Sequence, residues 1–248
     1  PGFAGLHCLA YHGIDEIASS VLQTHAGDPS KADSLGFTPL MWAAQNGHEG
    51  MVKLLLKEKN INLEAQDAEW GRTALSSAAG AGYETIVKVL LDQGKVDAKS
   101  QDWRGRTRLS HAAESQKVEV VTIFLEREGV NAQLPGNDGR TPLSHAAEEG
   151  SAEVVKRFLE RKEVEAELQD DTGRTPLSYA AEMGTVEAVK LFLEHPEVNA
   201  ELRDNSGRVH PYAAGSGAVE AVKVFLEREG VNDELGDDDG RTPLSYAA

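Results

Sequence analysis

The chain has 248 residues, of which 41 are acidic and 25 are basic, and its formal net charge at pH 7 is −16. This charge argues against binding to nucleic acid phosphates or to anionic membranes, and it mildly favours a basic protein partner. No apolar run reaches the length of a bilayer span, no secretory signal opens the sequence, and the single cysteine, Cys8, cannot form an internal disulfide. These features predict an intracellular, cytoplasmic protein.

A glycine recurs along the whole sequence at intervals of 33 to 35 residues. A fixed period of this size indicates supersecondary units that stack on one another and share a core. The positions are Gly2, Gly36, Gly71, Gly105, Gly139, Gly173, Gly207 and Gly240. We therefore predict one continuous array over 1–248, with repeats one to seven at 2–35, 36–70, 71–104, 105–138, 139–172, 173–206 and 207–239 and a partial repeat at 240–248.

Repeat six shows the local structure that each unit should adopt. Thr175 is a good N-cap, and Pro176 suits the first helical position, where a missing N–H costs nothing. Small and apolar residues follow at helical spacing, and Gly184 supplies a left-handed stop. A second amphipathic segment around Phe192 and an extended, aspartate-rich finger complete the unit. The predicted fold is therefore an all-α solenoid of helix-turn-helix units with short β-hairpin-like fingers.

The signature T-P-L-x-x-A-A-x-x-G closely resembles that of the ankyrin repeat. Its nearest copies here are RTPLSHAA at 140–147 and RTPLSYAA at 174–181 and 241–248. A serine after the leucine, where the family usually has histidine, makes the chain similar to the long ankyrin arrays common in fungal proteins. The resemblance implies binding of protein partners through the finger tips and through the exposed face of each first helix.

Three of the first four repeats depart from this pattern. Repeat one has lost the Thr-Pro start, as terminal repeats often do. Repeat two carries an insertion in its finger turn, which is expected to push Trp70 outwards. In repeat four, Arg108 replaces the helix-starting proline and Gln116 replaces the helix-ending glycine. A left-handed Gln116 would cost about 1 kcal/mol or more, so we predict that repeat four is the weakest internal repeat.

The last part of the array is also irregular. Repeat seven begins GRVHPYAA, one residue short, so its N-cap threonine is missing. The sequence ends at Ala248, in the middle of a first helix that no second helix covers. We therefore expect the repeats to continue past Ala248 in a longer parent protein, and we expect this uncovered end to fray or to self-associate.

The sixth position after each opening glycine lies opposite the apolar stripe of the first helix. This column, its neighbours and the finger tips should therefore face an inner groove and remain outside the core. Large side chains on such a face exceed what folding requires, and Trp and Tyr are enriched at binding hot spots. The candidate partner-binding residues are Trp42, Trp70, Trp103, Arg104, His111, Glu114, His145, Glu148, Tyr179, Glu182, Met183 and Tyr212.

Two other repeated features have a simpler structural interpretation. Phenylalanines recur in register in the second helices and are expected to lie in the core. An arginine follows the opening glycine at 72, 106, 140, 174, 208 and 241, and an aspartate precedes most of these glycines. We expect these charges to pair across the finger turn, with an anion-binding strip as the alternative.

The most specific functional prediction is a non-enzymatic protein-interaction module or scaffold, with no cofactor, metal ion or catalytic residue. Equivalent histidines in neighbouring repeats are too far apart to share a zinc ion without leaning out of position. The alternative is an enzyme or small-molecule binder, with a closed pocket built from His111, Glu114, His145 and Glu148 and walled by Trp103 and Tyr179. A third possibility is a purely structural spacer, in which substitutions in the groove would have no effect.

Overall fold

The computed structural model describes residues 5–24, 27–94, 97, 100–208, 219–227 and 238. Within these ranges the chain is helical and contains no β-strand, apart from an isolated antiparallel bridge between Gln101 and Thr107. The helices are α1 (Gly5–His12), α2 (Asp15–Gln23), α3 (Pro39–Gln45), α4 (Glu49–Leu55), α5 (Ala74–Ala81), α6 (Glu84–Leu91), α7 (Arg108–Glu114), α8 (Val118–Leu125), α9 (Pro142–Glu148), α10 (Ala152–Leu159), α11 (Pro176–Glu182), α12 (Val186–Glu194) and α13 (Val219–Leu226).

These helices confirm the predicted all-α repeat fold. Repeats one to six each contribute two consecutive helices, from α1 and α2 to α11 and α12, and α13 is the second helix of repeat seven. The first helix of repeat seven, the partial repeat at 240–248 and the candidate residue Tyr212 lie outside the described residues. The predicted continuation, fraying or self-association of the chain end therefore stays a prediction.

The chain forms two compact units, Pro1–Val130 and Asn131–Ala248. In the first, the first helices α1, α3, α5 and α7 pack in sequence, and the second helices α2, α4, α6 and α8 form a parallel row. In the second unit, α9 packs on α11, and α10, α12 and α13 form the other row. Each unit thus buries apolar faces that a single repeat could not cover alone. The proposal of one continuous array stays a prediction.

The predicted helix starts are confirmed by their capping hydrogen bonds. The side chain of Thr175 accepts a hydrogen bond from the backbone N–H of Ser178, and the Ser178 hydroxyl in turn accepts one from the Thr175 backbone N–H. The same reciprocal box closes at Thr73, Thr107 and Thr141. Such caps contribute about 1 kcal/mol each. The serine after the leucine is therefore the second half of a capping box.

The core consists of the residues that periodicity predicts. Small alanines fill the contacts between first helices, and the recurring phenylalanines of the second helices are fully buried, at Phe124, Phe158, Phe192 and Phe225. Because the phenylalanines stand at equivalent positions, each of repeats four to seven buries the same large side chain at the same place in its second helix. None of the described helices has the length and apolarity that crossing a membrane requires.

Repeat four contains both of the local anomalies that its sequence suggests. Gln116 has φ +58°, and it is the one non-glycine residue with positive φ in the described part of the chain. At the other end of the first helix, Arg108 is almost fully buried, and its Nη2 lies 2.5 Å from Oε2 of Glu64 in repeat two. The Thr107 cap is intact. Repeat four has therefore exchanged its proline for a buried ion pair while keeping its helix start.

Candidate functional site

The expectation that the sixth-position side chains lie outside the core is wrong for three of them. His111, His145 and Tyr179 expose only 2%, 4% and 6% of their surface, and Trp42 is half-buried. The reason is the finger turn, whose polar groups contact the same side of the helix. Rings that reach this turn are covered by the finger that precedes their helix rather than left for a partner.

An aspartate of the finger turn holds the sixth-position side chain in three repeats. Nε1 of Trp42 donates to Asp33 at 2.9 Å, Nε2 of His111 lies 3.1 Å from Oδ2 of Asp102, and the Tyr179 hydroxyl donates to Asp170 at 2.5 Å. The same aspartates accept hydrogen bonds from backbone N–H groups of their own turns. Each aspartate therefore fastens the finger at the end of one repeat to the first helix of the next repeat. The constant spacing of nine residues was visible in the sequence, and it is the signal that sequence reasoning missed.

His111 lies in a closed polar cluster. Its Nδ1 is 3.3 Å from Oε2 of Glu114, so both ring nitrogens face carboxylates. Arg106 bridges the same two acids, at 2.9 Å from Asp102 and 3.0 Å from Glu114. Burial by itself would raise the pKa of Asp102, but the His111 hydrogen bond, the Arg106 backbone N–H and the nearby positive charges together lower it to about 2. Asp102 is therefore a structural anion that remains charged at neutral pH.

The arginine ladder only partly follows the predicted pairing with aspartates. Arg106 pairs with Asp102, and Arg208 pairs with Asp204 at 2.8 Å. Arg140 and Arg174 instead pair with acids of the first helix, Glu148 and Glu182. The candidate residues Glu114, Glu148 and Glu182 are therefore all neutralised by an arginine of their own repeat.

Two tryptophans and an arginine lie together at neighbouring finger tips of the N-terminal unit, and we call this group the finger-tip surface: Trp70, Trp103 and Arg104. Trp103 exposes 55% of its surface, and its backbone N–H donates to the Trp70 carbonyl at 3.0 Å. The Arg104 guanidinium lies over the Trp70 ring, 4.3 Å from its centroid. Trp70, which was expected to point outwards, is half-buried under this arginine. The exposed ring of the surface is Trp103.

The glycine beside this surface explains how closely the tips pack. Gly71 has φ +72°, and a Cβ added there would lie 2.5 Å from Cδ1 of Trp103. A side chain at this position would therefore displace the indole. The opening glycine of repeat three positions the tryptophan of the following finger.

The C-terminal unit presents a different arrangement around Tyr179. The ring lies between the guanidinium groups of Arg140 and Arg174, at 4.3 and 4.1 Å from the centroid. Burial and the hydrogen bond to Asp170 raise the pKa of the Tyr179 hydroxyl well above its usual range. Glu182 and Met183 at the end of the helix are exposed. Among the described candidate residues of this unit, these two are the exposed ones.

The described residues give little support for a metal site or a catalytic pocket. They contain no group of three or more His, Cys, Asp or Glu side chains arranged to hold a metal ion. A cavity of about 530 Å³ does occur, but it lies at the N-terminal end and is lined by Leu6, His7, Ile17 and Val21, among others. It contains none of the candidate residues.

Comparison with protein families gives a match over most of the chain. A family model described as Ankyrin repeats (3 copies) matches residues 2–67, 60–135 and 109–205. No curated protein matches at a significant level.

Proposed function

We propose that this chain, which belongs to the ankyrin-repeat family, is a non-enzymatic protein-interaction module that binds its partner through the finger-tip surface of Trp70, Trp103 and Arg104. Ankyrin repeats are generally protein–protein interaction modules. The observation that carries the choice of surface is the exposure of Trp103, a large aromatic ring, whereas the other candidate rings in the described part of the chain are buried or half-buried. An exposed Trp beside an Arg has the composition typical of a binding hot spot.

Glu182 and Met183, which are exposed, are the contact residues that we propose for the C-terminal unit. The buried candidates act differently: His111 and Tyr179 hold their fingers in place through Asp102 and Asp170. The net charge of −16 would guide a basic partner towards the chain at long range, whereas the finger-tip surface determines the contact itself. We also propose a cytoplasmic location, in keeping with the single cysteine of the sequence.

The enzymatic alternative receives less support. A general base needs a nitrogen that can reach a substrate proton. The two nitrogens of His111 face the carboxylates of Asp102 and Glu114, and Glu148 is paired with Arg140. These side chains already satisfy one another, and they lie away from the cavity at the N-terminal end.

The test is to measure the partner affinity of Trp103→Ala. A partner is first identified by crosslinking to the wild-type chain, and dissociation constants are then measured by calorimetry. We expect Trp103→Ala to weaken binding by about 2 kcal/mol or more, which is roughly a 30-fold change in Kd. Ile17→Ala is the matched control, because Ile17 is equally exposed, at 54%, but lies on α2 away from the finger tips. Equal affinities for both variants and the wild type would contradict the proposal.

A further inference from the structure

In three consecutive repeats, the arginine after the opening glycine forms an ion pair with a glutamate eight residues later. The pairs are Arg106–Glu114, Arg140–Glu148 and Arg174–Glu182. The arginine comes from the finger and the glutamate from the last turn of the first helix, so the ion pair links these two elements. The pairing is thus a regular part of the repeat.

Repeat three has the arginine but lacks the acid. Arg72 stands at the arginine position, and eight residues later the chain has Gly80. Among the described residues, no carboxylate or carbonyl pairs with the Arg72 guanidinium, and its Nε is buried without a hydrogen-bond partner. Its guanidinium lies 5.9 Å from the centroid of the Trp70 ring. Because Arg72 lacks the glutamate that Arg106, Arg140 and Arg174 have, its guanidinium is suited to pair with an external acid.

The surroundings of Arg72 leave space for such an acid. Gly80 and Ala81 are exposed, and Ser77 replaces the histidine that contacts the glutamate in repeat four. A Cβ placed on Gly80 would meet nothing closer than His111, at 3.8 Å. The neighbouring Asp67 does not fill the space, because its carboxylate accepts backbone N–H groups of the finger turn.

We infer that the arginine notch, defined by Arg72, Ser77 and Gly80, binds the carboxylate of an acidic side chain from the protein partner. The inference rests on the proposed function, because the notch adjoins the finger-tip surface through Trp70. The planar guanidinium of Arg72 matches a carboxylate, and the Ser77 hydroxyl can add a further donor. The partner's acid thereby takes the position that Glu114, Glu148 and Glu182 occupy in the later repeats.

Local charge supports this choice of ligand although the chain as a whole is acidic. Arg104 adds a second positive charge at the rim, where it stacks on Trp70 and, in the described part of the structure, forms no ion pair. Glu114 in the next repeat is neutralised by Arg106 and contacted by His111. Glu69 is the exposed acid on the same finger. A partner that is basic overall can therefore still insert one acidic residue here.

The experiment uses a random dodecapeptide library displayed on phage and selected against the full chain. Three variants are compared with the wild type for recovery of the selected peptides. Arg72→Gln removes the guanidinium, Gly80→Glu supplies the missing internal acid, and Gly80→Ala is the matched control, because it adds a side chain without a charge. Glu is also a better helix former than Gly, so Gly80→Glu should melt no lower than the wild type.

We expect wild-type selection to enrich peptides with Asp or Glu at one fixed position. Their recovery should fall about tenfold or more on Arg72→Gln and on Gly80→Glu, as expected when a charge-assisted hydrogen bond is lost, and should stay within about twofold on Gly80→Ala. The proposed role of the arginine notch would be wrong if the selected peptides had no fixed acidic position, or if Gly80→Glu recovered the acidic peptides as well as the wild type does. Either result would leave the proposed function standing. Recovery of no peptide by the wild-type chain would contradict both.

Discussion

Gln116 is the residue whose replacement should stabilise the protein most directly. It ends the first helix of repeat four with φ +58°, whereas the equivalent positions Gly47, Gly82, Gly150 and Gly184 have φ between +68° and +78°. The backbone therefore adopts the same left-handed turn with or without a glycine. In repeat four this turn carries a side chain that disfavours it.

The expected gain follows from two opposing terms. A left-handed conformation costs a residue with a Cβ about 1–2 kcal/mol relative to glycine. A glycine also destabilises the fold by roughly 0.4–1 kcal/mol, because it increases the conformational entropy of the unfolded chain. Gln116→Gly should therefore raise the free energy of unfolding by about 0.5–1 kcal/mol. For a chain of this size, each kcal/mol of added stability raises the Tm by about 2–4 °C.

Urea denaturation of Gln116→Gly and Gln116→Ala measures this effect. Both variants remove the glutamine side chain, and only the alanine variant keeps the Cβ, so their difference isolates the backbone term. Gly82→Ala provides the reverse change in repeat three, where φ is +77° and an added Cβ would lie 2.5 Å from Cγ of Lys117. It should destabilise the chain by a similar amount or more.

Hydrogen exchange locates the effect within the array. In a stack of nearest neighbours, the weakest repeat opens first. Amides at 105–118 should exchange faster than those at 139–152, and Gln116→Gly should slow them. Equal stability of the glycine and alanine variants, together with equal protection of the two segments, would refute the reasoning.

Two further predictions concern buried charges. Glu64→Gln should destabilise the chain by about 1–3 kcal/mol in urea denaturation, because it leaves the buried Arg108 without its charged partner. This loss is smaller than for a fully buried ion pair, since the Glu64 side chain is about one-third exposed. No loss of stability would show that Arg108 does not need this acid. The Asp102 carboxylate, whose pKa falls from 3.8 to about 2 on folding, stabilises the fold above its unfolded pKa and loses this contribution as the pH falls towards 2. The Tm difference between wild type and Asp102→Asn should therefore shrink between pH 5 and pH 2, and a constant difference would contradict the assignment.

The sequence was sufficient to predict the repeat fold because each level of the pattern agreed with the next. Thr175 and Pro176 mark a helix start, the alanines mark its buried side, and Gly184 marks its end. Repetition of these signals then predicts stacking without knowledge of any long-range contact. The buried pair of Arg108 and Glu64 could not be foreseen in this way, because it joins two residues from different repeats that match no element of the signature.

The candidate site was harder to predict, because helical periodicity describes only the faces of a helix. Position six does lie opposite the apolar stripe of the first helix, but the finger that precedes the helix covers that face. His111 and Tyr179 are buried, and each is held by the aspartate of the preceding finger, so a face that appears free on the isolated helix is a polar contact within the fold. Trp103, in contrast, lies on the finger itself and remains exposed, as expected for a tip residue.

The residues that support the fold therefore follow the shared signature of the repeat, whereas the residues proposed to bind a partner occur where a repeat departs from it. In repeats four to six, each arginine of the ladder has a glutamate of its own, and a polar group that is satisfied within its repeat gains little from a partner. Repeat three lacks this acid at Gly80, and its own finger carries Trp103, so a cation without an internal acid and an exposed ring occur in the same repeat. Because stacking requires neither feature, both are available for contact with a partner.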